Sequence, residues 1–312
     1  MSNYATNYVK LLKEIWEEEG IAYTALSDGW VFQLEKNDKT AYIFGYQFGL
    51  NKASAAQLCN DKCTTSEVLA LAGIPHIPHY CFLTCLDMRY ADPKGNWEKL
   101  ISLFEQHKTL VCKDNNGTGG DSVYLAHNRL EFENIIQRLM ATTPAVAVSP
   151  YVSIREEYRL IVLDGTIRLV YSKERQFVLG DGKQTLRHLI AAAYSNGAIH
   201  AFPKISDSKL SKVLEPGEKF YLNWKHNLGQ GATPMIVKDA DMIEKLSALA
   251  LSAVSKVGIR FASVDIVDTE EGLKVMEINC GVMMEYLSGE NASYRKIAKG
   301  IYKDALGKMF ES

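Results

Sequence analysis

The stretch FASVDIVDTEEGLKVMEIN, residues 261–279, reads as two strands turning near Glu271 and Gly272. Asp265 ends an apolar segment of the first strand, and Glu277 and Asn279 end the second. Residues two apart on a strand face the same side, so Glu277 and Asn279 point the same way. Two carboxylates and an amide oxygen make a hard oxygen set. Such a set suits Mg2+, which takes few protein ligands and completes its shell with phosphates and water. Acids among Val, Met and Ile would be costly to bury unpaired. A solvated hairpin edge is the competing reading of the same residues.

A second stretch, VCKDNNGTGGDSVYL, residues 111–125, places one lysine, Lys113, ahead of three glycines. Glycines let backbone N–H groups turn toward an anion, and a lysine adds a point charge, so the loop suits phosphate. The lysine precedes the glycines, which excludes a Walker A loop. A glycine-rich hairpin turn would explain the loop taken alone.

Outward from these two stretches, strands and helices interleave. Residues 8–19 read as an amphipathic helix with Leu11, Leu12, Ile15 and Trp16 on one face. Residues 53–73 read as helix, turn, and a second helix capped at Thr64 or Thr65 and closed by Gly73. Helices are also expected over 96–107, 130–140, 241–257 and 291–310. YRLIVLDGTIRLVYSKER reads as a hairpin turning at Asp164-Gly165. Because many strand pairs are hairpins, an α+β class with antiparallel sheet fits better than a doubly wound fold.

The 312 residues carry a formal charge of −2, without the basic excess usual in nucleic-acid binders. No apolar run approaches the roughly 20 residues of a membrane span. The N-terminus lacks the basic-then-apolar layout of a signal peptide, so a soluble cytoplasmic protein is expected. The six cysteines read as reduced thiols. Cys63, His76, His79, Cys81 and Cys85 cluster in sequence, but not at C-x-x-C spacing, and buried thiols with loop histidines explain them better than zinc.

Taken together, the pieces resemble the ATP-grasp carboxylate–amine ligases. NDKCTTSEVLALAGIPHIP resembles that family's D-K segment, and VCKDNNGTGGDSVYL its second lysine and phosphate-covering loop. EEYRLIVLDGTIRLVYSKERQFVLGDGKQTLRHLI resembles the hairpin and GDG-x-x-T run of the branch holding cyanophycin synthetase and bifunctional glutathione synthetases. HNLGQGA looks like its N-L-x-x-G-G loop, and 261–279 like its magnesium hairpin. The likeness covers about residues 58–310.

The resemblance implies an ATP-grasp fold of two α+β subdomains, 58–148 and 149–312, after a short N-terminal α/β domain, 1–57. It implies that Lys62 and Lys113 contact ATP phosphates and that Gly117, Thr118, Gly119 and Gly120 close over them. Ser149, Pro150, Tyr151 and Val152 would form the adenine hinge, and Glu157 would meet the ribose. Asp265, Glu277 and Asn279 would hold Mg2+, with Mn2+ able to substitute. Arg159 and Arg175 lie where the family steadies phosphate or acyl-phosphate charge. Ser149 and Pro150 stand where relatives carry an acid. Asn223 replaces an arginine, with Lys225 as its substitute, and no proline follows Asn279. The implied partners are ATP, a small carboxylate and an amine, with neither nucleic acid nor membrane, and with room for a homodimer. Kinase-like phosphoryl transfer and a non-catalytic nucleotide-binding regulator are the alternatives.

Overall fold

The computed structural model describes residues 6–83, 97–120, 122–199, 205 and 207–311. The chain divides into two compact units, Met1–Tyr171 with Ile236–Ser312, and Ser172–Met235.

The first unit opens with helix α1 (Asn7–Glu19). Thr6 caps it by accepting the Val9 N–H, and Gly20 ends it in the left-handed conformation at φ 61°. Both oxygens of Glu285 also accept N–H groups of its first turn, from Asn7 and Tyr8 at 2.8 and 2.7 Å. Four antiparallel strands follow in order, β1 (Ala22–Leu26), β2 (Val31–Lys36), β3 (Lys39–Phe44) and β4 (Gln47–Phe48). The β2–β3 hairpin turns on Asn37 and Asp38, both at positive φ, as a two-residue loop requires. Trp16 of α1 is buried against Phe32 of β2, ring centroids 5.0 Å apart.

Helices α2 (Ala53–Asn60) and α3 (Lys62–Leu71) share Asp61 as a junction. The Asp61 carboxylate accepts the Thr64 N–H at 2.8 Å, so Asp61, and neither Thr64 nor Thr65, is the cap. A carboxylate there also suits the positive end of the helix dipole.

Next comes an antiparallel sheet in the order β5-β8-β6-β7: β5 (Tyr80–Leu83), β6 (Leu110–Asp114), β7 (Val123–Ala126) and β8 (Ala145–Pro150). Helices α4 (Trp97–His107) and α5 (Arg129–Met140) pack on it, with Phe104 and Phe132 stacked at 5.4 Å among Leu110, Val146 and Val148.

The hairpin of β9 (Glu156–Leu163) and β10 (Thr166–Glu174) turns at Asp164 and Gly165, φ 48° and 71°. The chain then enters the second unit: β11 (Phe177–Leu179), α6 (Leu186–Ser195), α7 (Asp207–Leu210), β12 (Lys219–Tyr221) and β13 (Thr233–Ile236). There β11 pairs antiparallel with β12, and α6 covers a small core of Val178, Leu186, Ile190 and Leu214.

Back in the first unit, α8 (Ala240–Val257) leads to β14 (Phe261–Thr269), β15 (Gly272–Asn279), α9 (Glu285–Glu290) and α10 (Ala292–Glu311). Four neighbouring strands of a five-stranded sheet run β10-β9-β14-β15. One face is apolar: Leu160, Val162, Ala262, Val264, Ile266, Val275 and Ile278 pack under α2, α3 and α8. Val275 and Ile278 could not share a face on a regular strand, since period-2 alternation separates them. A register shift after Asp265, which pairs with Glu277 while Ile266 pairs with Val275, leaves Met276 as the extra residue. This bulge buries both apolar side chains and keeps Glu277 opposite Asp265 on the other face.

No helix among the described residues is long and apolar enough to cross a membrane.

Candidate active site

The polar face of this sheet gathers charge. Arg159 of β9 lies opposite Asp265 of β14 and grips it with two parallel bonds, Nε to Oδ1 and Nη2 to Oδ2, both 2.7 Å. Asp265 is almost fully buried, and a bidentate guanidinium is what makes that carboxylate tolerable there. Burial alone would lower the proton affinity of Arg159, but Asp265 overrides it and holds the guanidinium charged.

Lys62, the first residue of α3, is buried. Its ammonium donates to the carbonyls of Asn115, at 3.1 Å, and Gly117, at 2.5 Å, and lies 3.5 Å from Glu277 Oε1. It thus joins the glycine loop to the acid at the end of β15. Lys113, on β6 between Val123 and Ala147, is buried as well. Burial lowers its pKa; the field of Glu277 pulls it back up, and Lys62 pushes it down again. Glu157 of β9, buried opposite Val267, also favours the Lys113 charge. Lys113 thus lies in the field of two acids, half-buried Glu277 and buried Glu157, and Lys62 shares Glu277 with it. Fixed ammonium groups beside a glycine loop suit an anion.

The loop between β6 and β7 is pegged at its start. Asn115 is buried; its amide oxygen accepts the Cys63 N–H at 3.1 Å, and its own N–H donates to Ala145 at 3.0 Å. Asp114 accepts from Thr143 and from the Asn116 N–H. A Cβ on Gly117 would meet that of Asp114 at 3.0 Å. Gly119 and Gly120 sit at φ 72° and 76°, where other residues are strained.

Of the remaining expected site residues, Ser149 and Pro150 end β8, with Ser149 buried opposite Val111. Tyr151 is exposed and its N–H donates to Thr109. Asn279 lies opposite Ser263, two residues beyond Glu277. Arg175 and Lys225 belong to the second unit. There the Arg175 guanidinium lies 4.0 Å from the Tyr221 ring centroid, and its Nε is buried with no hydrogen-bond partner among the described residues. Lys225 sits over Trp224 at 5.6 Å. His226 beside it is buried, with Nδ1 2.9 Å from the Lys173 carbonyl; burial, offset only in part by that contact, brings its pKa down to about 4.

The sequence reading singled out neither Asp61, Asn115 nor His226. Asp61 carried a signal, an acid three residues before the Thr64 N–H it caps; the long-range partners of the other two carried none. Cys63 and Cys81 hydrogen-bond each other, and the Nδ1 atoms of His76 and His79 lie against backbone carbonyls. Cys85 lies outside the described residues. Among the described residues, no three His, Cys, Asp or Glu side chains are placed to hold a metal ion.

No family model matches the chain. Over 57 residues it is 40% identical to the tetrahydromethanopterin:alpha-L-glutamate ligase of Methanocaldococcus jannaschii, 18% of this chain and 19% of that one. Over 287 residues it is 23% identical to the cyanophycin synthetase of Trichormus variabilis, 86% of this chain and 30% of that one. Each match thus spans less than a third of the curated relative's own length. A bifunctional glutathione synthetase from Pasteurella multocida superposes with a TM-score of 0.57 at 17% identity, covering 96% of this chain and 43% of that one. The chain is thus similar to these ligases over part of their length, and its α+β fold is that of the ATP-grasp structures.

Proposed function

We propose that the chain is an ATP-dependent ligase that joins a carboxylate to an amine through an acyl-phosphate, releasing ADP and phosphate. The observation that carries this reading is the meeting of Lys62, Lys113 and Glu277 beside a glycine loop, on the sheet face that also bears the Arg159–Asp265 pair. A carboxylate attacking a γ-phosphate brings like charges together, and fixed buried cations offset that repulsion without reorganising. Lys62 and Lys113 hold the phosphates, and Gly117, Thr118, Gly119 and Gly120 cover them. Ser149, Pro150, Tyr151 and Val152 seat the adenine, and Glu157 meets the ribose. Arg159 acts chiefly by fixing Asp265, and Arg175 and Lys225 steady charge on the acyl side.

The donor set also fits a hard divalent cation. Asp265 and Glu277 are register partners, and Asn279 follows on the same strand. These three would hold Mg2+ or Mn2+, which would supply charge neutralisation on the transferring phosphoryl group. Residues 1–57 form the short N-terminal domain in this reading, with 58–148 and 149–312 as the two ATP-grasp subdomains. The amine and the acid are amino acids or small peptides.

The test is a screen of the protein with ATP, Mg2+ and pooled amino acids, following ADP and reading products by mass spectrometry. ADP release that depends on an amino-acid pair, with a product lighter by one water than the pair, supports the ligase. ADP formed without any condensed product refutes it.

A further inference from the structure

We propose that an internal water sits between α3 and β15 and ties His79 to Glu277, so that His79 positions the acid without touching substrate. A cavity of about 10 Å3 lies there, lined by Lys62, Ser66, His79 and Glu277 together with apolar Leu69 and Ile278. That is about the space one water needs, on the order of 10–15 Å3.

The walls supply the right hydrogen-bonding groups. His79 is 6% exposed. Its Nδ1 lies 2.9 Å from the Ile77 carbonyl, which only accepts, so the ring proton sits on Nδ1 and Nε2 carries a lone pair. Nε2 is buried and has no hydrogen-bond partner among the described residues. A buried acceptor of this kind is rare unless a water meets it. Ser66 Oγ accepts the His79 N–H at 3.0 Å, which leaves its hydroxyl proton to donate. Thr65 is unsuited, since its hydroxyl already donates to Leu58 at 2.6 Å. Lys62 directs its ammonium at Asn115, Gly117 and Glu277 Oε1. One water can therefore accept from Ser66 and donate to His79 Nε2 and to the Glu277 carboxylate, the three bonds usual for a buried water. A cation in the same space would face the Lys62 ammonium. The water stands on geometry alone; its effect on a Glu277-bound metal rests on the function proposed above.

The first test is a high-resolution crystal structure of the full chain. A water within about 3.2 Å of His79 Nε2, also touching Ser66 or Glu277, is expected; an empty cavity, or Nε2 bonded to a protein group, overturns the proposal. The second compares Mn2+ affinity, by electron paramagnetic resonance with a non-hydrolysable ATP analogue, in wild type, His79→Phe and His79→Gln. Losing a group that orients a metal ligand typically weakens binding by about tenfold or more, which is expected for His79→Phe. Glutamine restores an acceptor and should recover most of the affinity. Wild-type Mn2+ affinity in His79→Phe overturns the positioning role. If that variant does not fold, Ser66→Ala makes the same comparison. A wild type that binds no Mn2+–nucleotide refutes the function and the positioning role, while the density still decides the water.

Discussion

Replacing Lys113 by methionine should make the free protein more stable and the nucleotide complex much weaker. The ammonium is buried, its pKa is pushed below the ordinary 10.5 by burial, and Lys62 adds repulsion. Methionine fills nearly the same space without charge, and Glu277 keeps Lys62 as a partner at 3.5 Å. A folded pKa below the unfolded one means that the ammonium costs the free fold stability even with Glu277 and Glu157 beside it, so an uncharged side chain of similar volume should raise the melting temperature. In the complex the sign reverses. Removing one partner of a desolvated charge pair costs about 3–5 kcal/mol, or roughly two to nearly four orders of magnitude in ATP affinity. The stability gain also has a pH signature. A folded pKa below the unfolded value means the unfolded chain binds the extra proton between the two. Wild-type stability therefore rises with pH from the folded Lys113 pKa up to about 10.5, and Lys113→Met lacks that rise. Calorimetry of ATP binding and thermal melts across alkaline pH measure both halves. Unchanged affinity, or a less stable free protein with the same pH profile as wild type, refutes the reasoning.

Glu277→Gln keeps the side chain's size but removes the charge shared by two lysines, so ADP release should fall by at least about tenfold, against roughly 1.4 kcal/mol on the barrier; a rate within about threefold of wild type takes Glu277 out of the site. His226 should titrate near 4 in an NMR pH series, and a midpoint near the ordinary 6.5 would contradict its burial. Because its folded pKa is depressed, its contribution to stability is complete above 6.5 and is lost as pH falls toward about 4, on the order of 3 kcal/mol in all; denaturant titrations of His226→Gln should show a correspondingly flatter acid limb. Phe132→Ala empties a fully buried site stacked on Phe104 and should cost about 3–5 kcal/mol of unfolding free energy, read by the same method.

Local signals carried most of the architecture. The hairpin over 156–174 was legible because Asp164-Gly165 supplies the two positive-φ residues its turn needs. The long helices were legible from their 3.6-residue apolar spacing, as over Leu246, Ala250, Val254 and Val257. Elements held by distant partners were not. The strand Phe177–Leu179 pairs with Lys219–Tyr221 some forty residues on, and nothing within three residues could announce that. Ala22–Leu26 is exposed along its whole length, so it shows no alternation of burial to read. The helix cap moved from Thr64 to Asp61 because two helices abut there with no turn between them. The candidate site divides the same way. The kinds of chemistry, lysines near glycines and acids on a hairpin, are visible in the chain. That Lys62 bonds the Gly117 carbonyl, fifty-five residues away, is set only by packing, as is the bulge that turns Glu277 toward Asp265.

The ligase chemistry is tested most directly by the fate of oxygen. If a carboxylate attacks ATP and an amine then displaces phosphate, one carboxylate oxygen leaves with that phosphate. The protein is incubated with ATP, Mg2+ and an amino-acid pool labelled with 18O in its carboxyl groups, and the released phosphate is analysed by mass spectrometry. One 18O in the phosphate for each amide formed is the expected result. Unlabelled phosphate, or a stable phosphorylated amino acid with no amide, would contradict the ligase reading.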